Sequence, residues 1–170
     1  MKKTTKNICF SAMFAAMVFA LTMLHVPIGA GGYIHVGDAV IYVVALLMGG
    51  PWAFLSAAIG AAVADLVSGV AVYAIPSMII KVLIAVPFVM ISKKSEKLLN
   101  VKSALFTVLS GAITILGYFV TDLIVYREGA VADLPANVIQ AVGSAVVFLI
   151  LAFALDRADI KTRFKKEIEK

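Results

Sequence analysis

Four ionisable side chains interrupt otherwise apolar stretches of this sequence: Asp38, Asp65, Lys81 and Asp122. In hydrocarbon such groups are expensive, so they face a cavity or a partner, and each is a candidate for contact with a ligand. Asn137, Gln140 and Ser144, at i, i+3 and i+7, share one helix face, and Tyr118 and Asp122, four apart, share another. The chemistry on offer is hydrogen bonding and charge pairing to a small solute, with no covalent step. No H-E-x-x-H, G-x-S-x-G or cysteine–histidine metal spacing occurs, and no G-x-x-x-x-G-K-S/T nucleotide cradle. An enzyme, a metal site and a cofactor are therefore not expected, and active transport would need a separate ATPase.

The stretch "GAGGYIHVGDAV", residues 29–40, adds a second kind of feature. Gly29, Gly31 and Gly32 free the backbone, Tyr33 and His35 supply an aromatic surface and a hydrogen-bonding group, and Gly37-Asp38 starts a helix. A flexible loop of this kind above a polar pocket acts as a lid. The candidate ligand contacts are thus Gly31, Tyr33, His35, Asp38, Lys81, Tyr118, Asp122, Asn137 and Gln140. Duller roles compete with several of these. Asp38 can cap the helix it begins, Lys81 can neutralise Asp65 or Asp122, and Asn137 and Gln140 can bond neighbouring helices. Asp65 shares its helix with Ser56, Gly60 and Ala64, a spacing that suggests close packing.

The elements that position these groups follow from composition. Apolar residues make up 62% of 170, against the roughly 45–50% of soluble domains, so lipid must solvate much of the chain. Apolar runs broken by Gly, Pro or charge place six helices near residues 7–25, 37–49, 51–69, 76–91, 102–126 and 134–155. The expected fold is an all-α integral membrane protein, one domain over residues 1–170, with six transmembrane helices. Pro76 and Pro135 suit first helical turns, and Pro87 predicts a kink in the fourth helix. Cys9 is a small hydrophobe in the first run, which is too long for a signal h-region and reads as a permanent helix.

Basic residues set the orientation. Lys2, Lys3 and Lys6, then Lys93, Lys94, Lys97 and Lys102, then Arg157, Lys161, Arg163, Lys165, Lys166 and Lys170 fall on one side if six helices alternate. That side is cytoplasmic, with both termini. The net charge of +5 is explained by topology and not by nucleic acid. The basic tail, residues 156–170, is expected as a helical extension at the membrane surface. All four intramembrane charges then fall in the outer half, so the polar groups converge on an extracellular-side pocket, and a continuous channel lacks its inner lining.

Ala12, Ala16 and Ala20 stack on one face of the first helix and let another helix approach closely, either within the chain or from a separate membrane protein. With the stretch "GGYIHVGDAVIYVVALLMGGPWAFLSAAIGAAVADL", with "IPSMIIK" and with "LPANVIQAVG", the chain resembles the substrate-binding S components of energy-coupling factor (ECF) vitamin transporters. The resemblance is to the branch often labelled riboflavin-type, near members assigned to pyridoxine or hydroxymethylpyrimidine. It implies a ligand held under the first outer loop, Gly31 to His35, with Lys81, Asn137 and Gln140 contributing. It further implies that the alanine face docks to a transmembrane coupling protein driven by two cytoplasmic ATPases, and that the subunit topples in the bilayer of the cell membrane to deliver its vitamin. The rival readings are a self-sufficient proton-coupled transporter using Asp65 or Asp122, and a membrane assembly subunit that transports nothing.

Overall fold

The computed structural model describes residues 3–28, 32–127 and 130–169, and of residues 26–28, 32–34 and 169 it describes the backbone alone. The elements run α1 (Lys3–Met23), β1 (His25–Ile28), β2 (Gly32–His35), α2 (Gly37–Met48), α3 (Gly50–Val67), a 3-10 turn (Ala71–Tyr73), α4 (Ala74–Ser92), α5 (Val101–Tyr126), α6 (Ala130–Arg157) and α7 (Ile160–Glu169). Five of these segments are long and apolar enough to cross a membrane: α1, α3, residues 71–92, α5 and α6. The chain is a helical membrane protein.

Helix α2 differs from the other five. Its 12 residues reach only about 18 Å at 1.5 Å per residue, short of a ~30 Å hydrocarbon core. It is apolar on every side, and every residue from Gly37 to Leu46 is buried. A helix without a polar face belongs in the centre of a bundle, and here α1, α3, α4 and α6 all touch it. The outer helices instead turn Leu, Ile and Val outward, among them Ile79, Leu116 and Ile150. In water such a surface would aggregate, whereas lipid solvates it.

At the middle of the bundle the Tyr42 ring stacks on Phe88, centroids 4.5 Å apart, and both meet Phe148 edge-on. All three are inaccessible to solvent. This layer fills the centre of the bundle between the two ends. Helices α1 and α3 approach closely because Gly60 has no side chain; a Cβ there would lie 2.6 Å from the Ala15 carbonyl oxygen. Ser11 and Ser56 bridge the same pair at 3.0 Å.

The turns have identifiable causes. Gly49 and Gly50 both adopt positive φ, so α2 passes into α3 with almost no loop, and Pro51 starts α3 where its missing N–H costs nothing. Asn100 caps α5 in a reciprocal capping box with Ser103. The Asp156 carboxylate accepts from the N–H groups of Leu98 and Leu99 at 2.7 and 2.8 Å, which ties the α4–α5 connection to the end of α6.

Three expectations need correction. Residues 25–28 and 32–35, expected as the end of the first helix and part of a flexible loop, pair as antiparallel strands with His25 opposite His35. Helix α6 begins at Ala130, four residues earlier than expected, so Pro135 lies inside it and not in its first turn. Residues 156–170 do not continue that helix as one extension: Asp159 turns at φ 51°, and α7 folds back across the start of α1. Phe164 sits 4.8 Å from the Phe10 ring, and Lys6 donates to the Glu167 carbonyl at 2.8 Å. The apolar residues Ile160, Phe164 and Ile168, four apart, form the face of α7 that permits this.

Candidate functional site

The end of α3, the 3-10 turn, the end of α5, the start of α6 and the hairpin meet at one end of the bundle. Between them is a cavity of about 50 Å³ lined by His35, Asp65, Val70, Tyr73, Tyr118, Asp122, Asp133, Ala136, Asn137 and Gln140. The i, i+3, i+7 spacing on α6 delivers as expected: Asn137 and Gln140 line the cavity, and Ser144, one turn deeper, lies 3.5 Å from the His35 carbonyl oxygen. Tyr118 and Asp122 also reach the wall together.

Asp38 and Lys81 do not reach it. The Lys81 ammonium lies 2.6 Å from Asp38 Oδ1, both side chains fully buried behind the wall. Gln140 donates to the other carboxylate oxygen at 3.3 Å, and the ammonium stands 4.9 Å from the centre of the Tyr118 ring. The expected partners of Lys81, Asp65 and Asp122, are thus replaced by Asp38. Asp38 occupies the second residue of α2, points inward to α4, and makes no cap bond with its own helix. Sequence depth ranks the three aspartates alike; helix rotation decides between them.

His35 links hairpin to helix. Its Nδ1 accepts the Gly37 N–H at 3.1 Å, which leaves Nε2 as the protonated nitrogen of the neutral ring. Burial, and after it the nearby Lys81 charge, push this imidazole from 6.5 down to about 4. Between those values the unfolded chain binds a proton that the folded chain does not, so this contribution is complete above pH 6.5 and is lost as the pH falls toward 4. At about 1.4 kcal/mol per pH unit it amounts to roughly 3 kcal/mol. Melting curves from pH 7.5 to 4.5 should therefore fall more steeply for the native chain than for His35→Asn; parallel curves would show that His35 is not held neutral. Of the remaining expected contacts, Gly31 lies outside the described residues, and so does the side chain of Tyr33.

Four lining residues were not expected, the apolar Val70 and Ala136 and the polar Tyr73 and Asp133. The Tyr73 hydroxyl donates to Asp122 Oδ1 at 2.5 Å and ties the 3-10 turn to α5 across the cavity. Ser77, one turn further along α4, meets the Tyr118 hydroxyl at 3.0 Å. A ring the size of benzene is held by cavities of ~150 Å³, about three times the volume here, so a heteroaromatic ligand fits only when part of the wall moves. The Tyr73–Asp122 bond, with the Tyr126 ring 6.3 Å from that of Tyr73, holds the 3-10 turn against α5.

A second hollow lies on the outside, along α1 and α3. This apolar groove of about 520 Å³ is lined by Ala12, Ala15 and Ala16, with Ile8, Phe19, Trp52 and Ile59 among its other walls. Ala12, Ala16 and Ala20 are all exposed, whereas Ala15 and Val18 on the neighbouring face pack inward. The alanine row is therefore not used for packing within the chain.

The model of the family "ECF-type riboflavin transporter, S component" matches residues 2–157. A protein of Pyrococcus woesei described as "Uncharacterized protein in gap 3'region" is 30% identical over 135 residues, covering 78% of this chain and 88% of that protein. With a match over nearly its whole length, the chain belongs to the S components of ECF-type riboflavin transporters, a family of transporter subunits and not of enzymes.

Proposed function

We propose that this chain captures a small water-soluble vitamin or vitamin precursor, pyridoxine-like or hydroxymethylpyrimidine-like, for an ATP-driven ECF importer. The observation that carries the reading is the pair of hollows. One is polar and closed beneath by the Tyr42–Phe88–Phe148 layer; the other is apolar, open to lipid and floored by alanines. The first suits a solute and the second a membrane helix. His35, Tyr118, Asp122, Asn137 and Gln140 act as ligand contacts, while Asp38 and Lys81 hold the wall in position. Gly31 and Tyr33 contribute to the ligand contacts from the chain segment of the first outer loop.

In this reading α2 makes a short sixth pass inside the bundle, both termini are cytoplasmic, and the basic clusters lie on that side. Ala12, Ala16 and Ala20 receive a transmembrane coupling protein that works with two ATPases, and the subunit topples against it to release its cargo. No route through the chain is needed.

Thermal-shift screening of the purified protein against B vitamins and their precursors tests the reading. A ligand at a hundred times its Kd adds about 2.7 kcal/mol to apparent stability, enough to raise the melting temperature by several degrees. Unchanged melting across the panel would overturn it. Uptake by proteoliposomes containing this chain alone, collapsing with an uncoupler, would replace it with proton-coupled transport.

A further inference from the structure

We propose that α7 docks on the bilayer surface, its outward basic arc binding the phosphates of anionic phospholipids in the leaflet at that end of the bundle. This helix follows the stretch that matches the family, residues 2–157, so the match does not account for it. Its residues divide by direction. Ile160, Phe164 and Ile168, four apart, are half-buried against the chain, whereas Thr162, Arg163, Lys165 and Lys166 are all exposed. At about 3.6 residues per turn, Arg163 and Lys166 share the side away from the apolar face, and Lys165 lies on its flank.

The seat of α7 holds this arc in place. The Phe164 ring lies 4.8 Å from that of Phe10 and 5.7 Å from that of Phe14. Lys6 donates to the Glu167 carbonyl oxygen at 2.8 Å and stands 3.8 Å from the Glu167 carboxylate, so that acidic side chain is answered within the chain. The Lys161 ammonium is closed off from solvent, with the Asp156 and Glu96 charges nearby, and takes no part in the arc. Among the described side chains, what remains on the outer surface of α7 is cationic apart from Thr162.

The depth of α7 is that of lipid headgroups. It lies along the first turns of α1, a helix long and apolar enough to span a membrane, and it starts three residues after Arg157. The Arg157 guanidinium rests 4.8 Å from the centre of the Phe153 ring, which is itself exposed on the apolar helix α6. An arginine lying on a lipid-facing ring, its charged head kept at the polar side, marks the level where hydrocarbon gives way to water. An amphipathic helix rich in Lys and Arg at that level lies in the plane of the interface. There each basic side chain raises affinity for an anionic surface about five-fold. An acidic protein would have to displace the headgroups to reach the same arc.

Native mass spectrometry of the full-length protein, released from mixed micelles with equal amounts of phosphatidylglycerol and phosphatidylcholine, tests this. Phosphatidylglycerol is expected to be retained more than about ten-fold over phosphatidylcholine, and the preference should fall to within about three-fold in the triple variant Arg163→Gln, Lys165→Gln, Lys166→Gln. Those side chains are exposed, so the variant should melt like the native chain. Lys93→Gln with Lys94→Gln removes exposed charge outside α7 and should lower the preference by less. An equal fall in both variants, or no preference in the native protein, would overturn the proposal. Abolition of the preference by inorganic phosphate would make the arc a site for free anions instead. An undiminished preference in the triple variant, with an ATPase module lost from it in pull-downs, would assign the arc to a protein.

Discussion

Lys81→Met is expected to destabilise the folded chain by about 3–5 kcal/mol, the cost of leaving a buried carboxylate without its counter-ion. Asp38 has no route to solvent, and its other donor, Gln140 at 3.3 Å, is neutral and distant for a hydrogen bond. The informative comparison is the double variant Asp38→Leu with Lys81→Met. Replacing both charges by apolar groups of similar size is often neutral, so the double variant should recover most of the loss. Unfolding in mixed micelles, followed for the native chain, the two single variants and the double variant, measures the cycle. Single variants within about 1 kcal/mol of the native chain would show that the pair does not hold α2, α4 and α6 together. Because Lys81 lies behind the wall, the double variant should also keep ligand affinity within a few-fold. A complete loss of binding in a stably folded double variant would return Lys81 to the list of direct contacts.

Ala16→Leu acts at the other hollow. Filling a close-packed small-residue contact with a larger side chain typically costs about 1–3 kcal/mol, or roughly 5- to 150-fold in docking. Ala16 is exposed and lines the groove, so nothing inside the chain must yield to a leucine there. Expression, melting temperature and ligand affinity should be unchanged, while copurification with the coupling protein and ATP-driven uptake fall together. Normal copurification of this variant would remove the groove from the docking proposal, and a lost ligand affinity would show that the two hollows are coupled.

The helices and the polar face of α6 were readable because both depend on pattern along one chain segment. Apolar runs bounded by Gly, Pro and charge gave α1, α3, α4 and α5 to within a few residues, and the spacing of Asn137, Gln140 and Ser144 gave their common direction. What depends on how helices are rotated against each other was not readable. Asp38, Asp65 and Asp122 sit at similar depth, so nothing in the chain alone assigns Lys81 to the first of them. Tyr73 carries no signal in the chain alone: it stands in a short connection after Gly69, and only the fold brings its hydroxyl to Asp122. Asp133 falls outside a helix that begins at the residue before Pro135. A proline usually marks a first turn, but α6 has one full turn ahead of it, and that turn carries the carboxylate into the cavity. The hairpin escaped because Val26-Pro27-Ile28 and Gly32-Tyr33-Ile34 are too short for an alternating pattern to register.

The layer of Tyr42, Phe88 and Phe148 has a consequence for the cell's energy supply. Three aromatic rings in contact, none of them accessible to solvent, pack the centre of the bundle where a proton or sodium ion would have to pass. A bilayer that carries many copies of the chain should therefore keep its membrane potential, which a dye-leak assay on proteoliposomes checks.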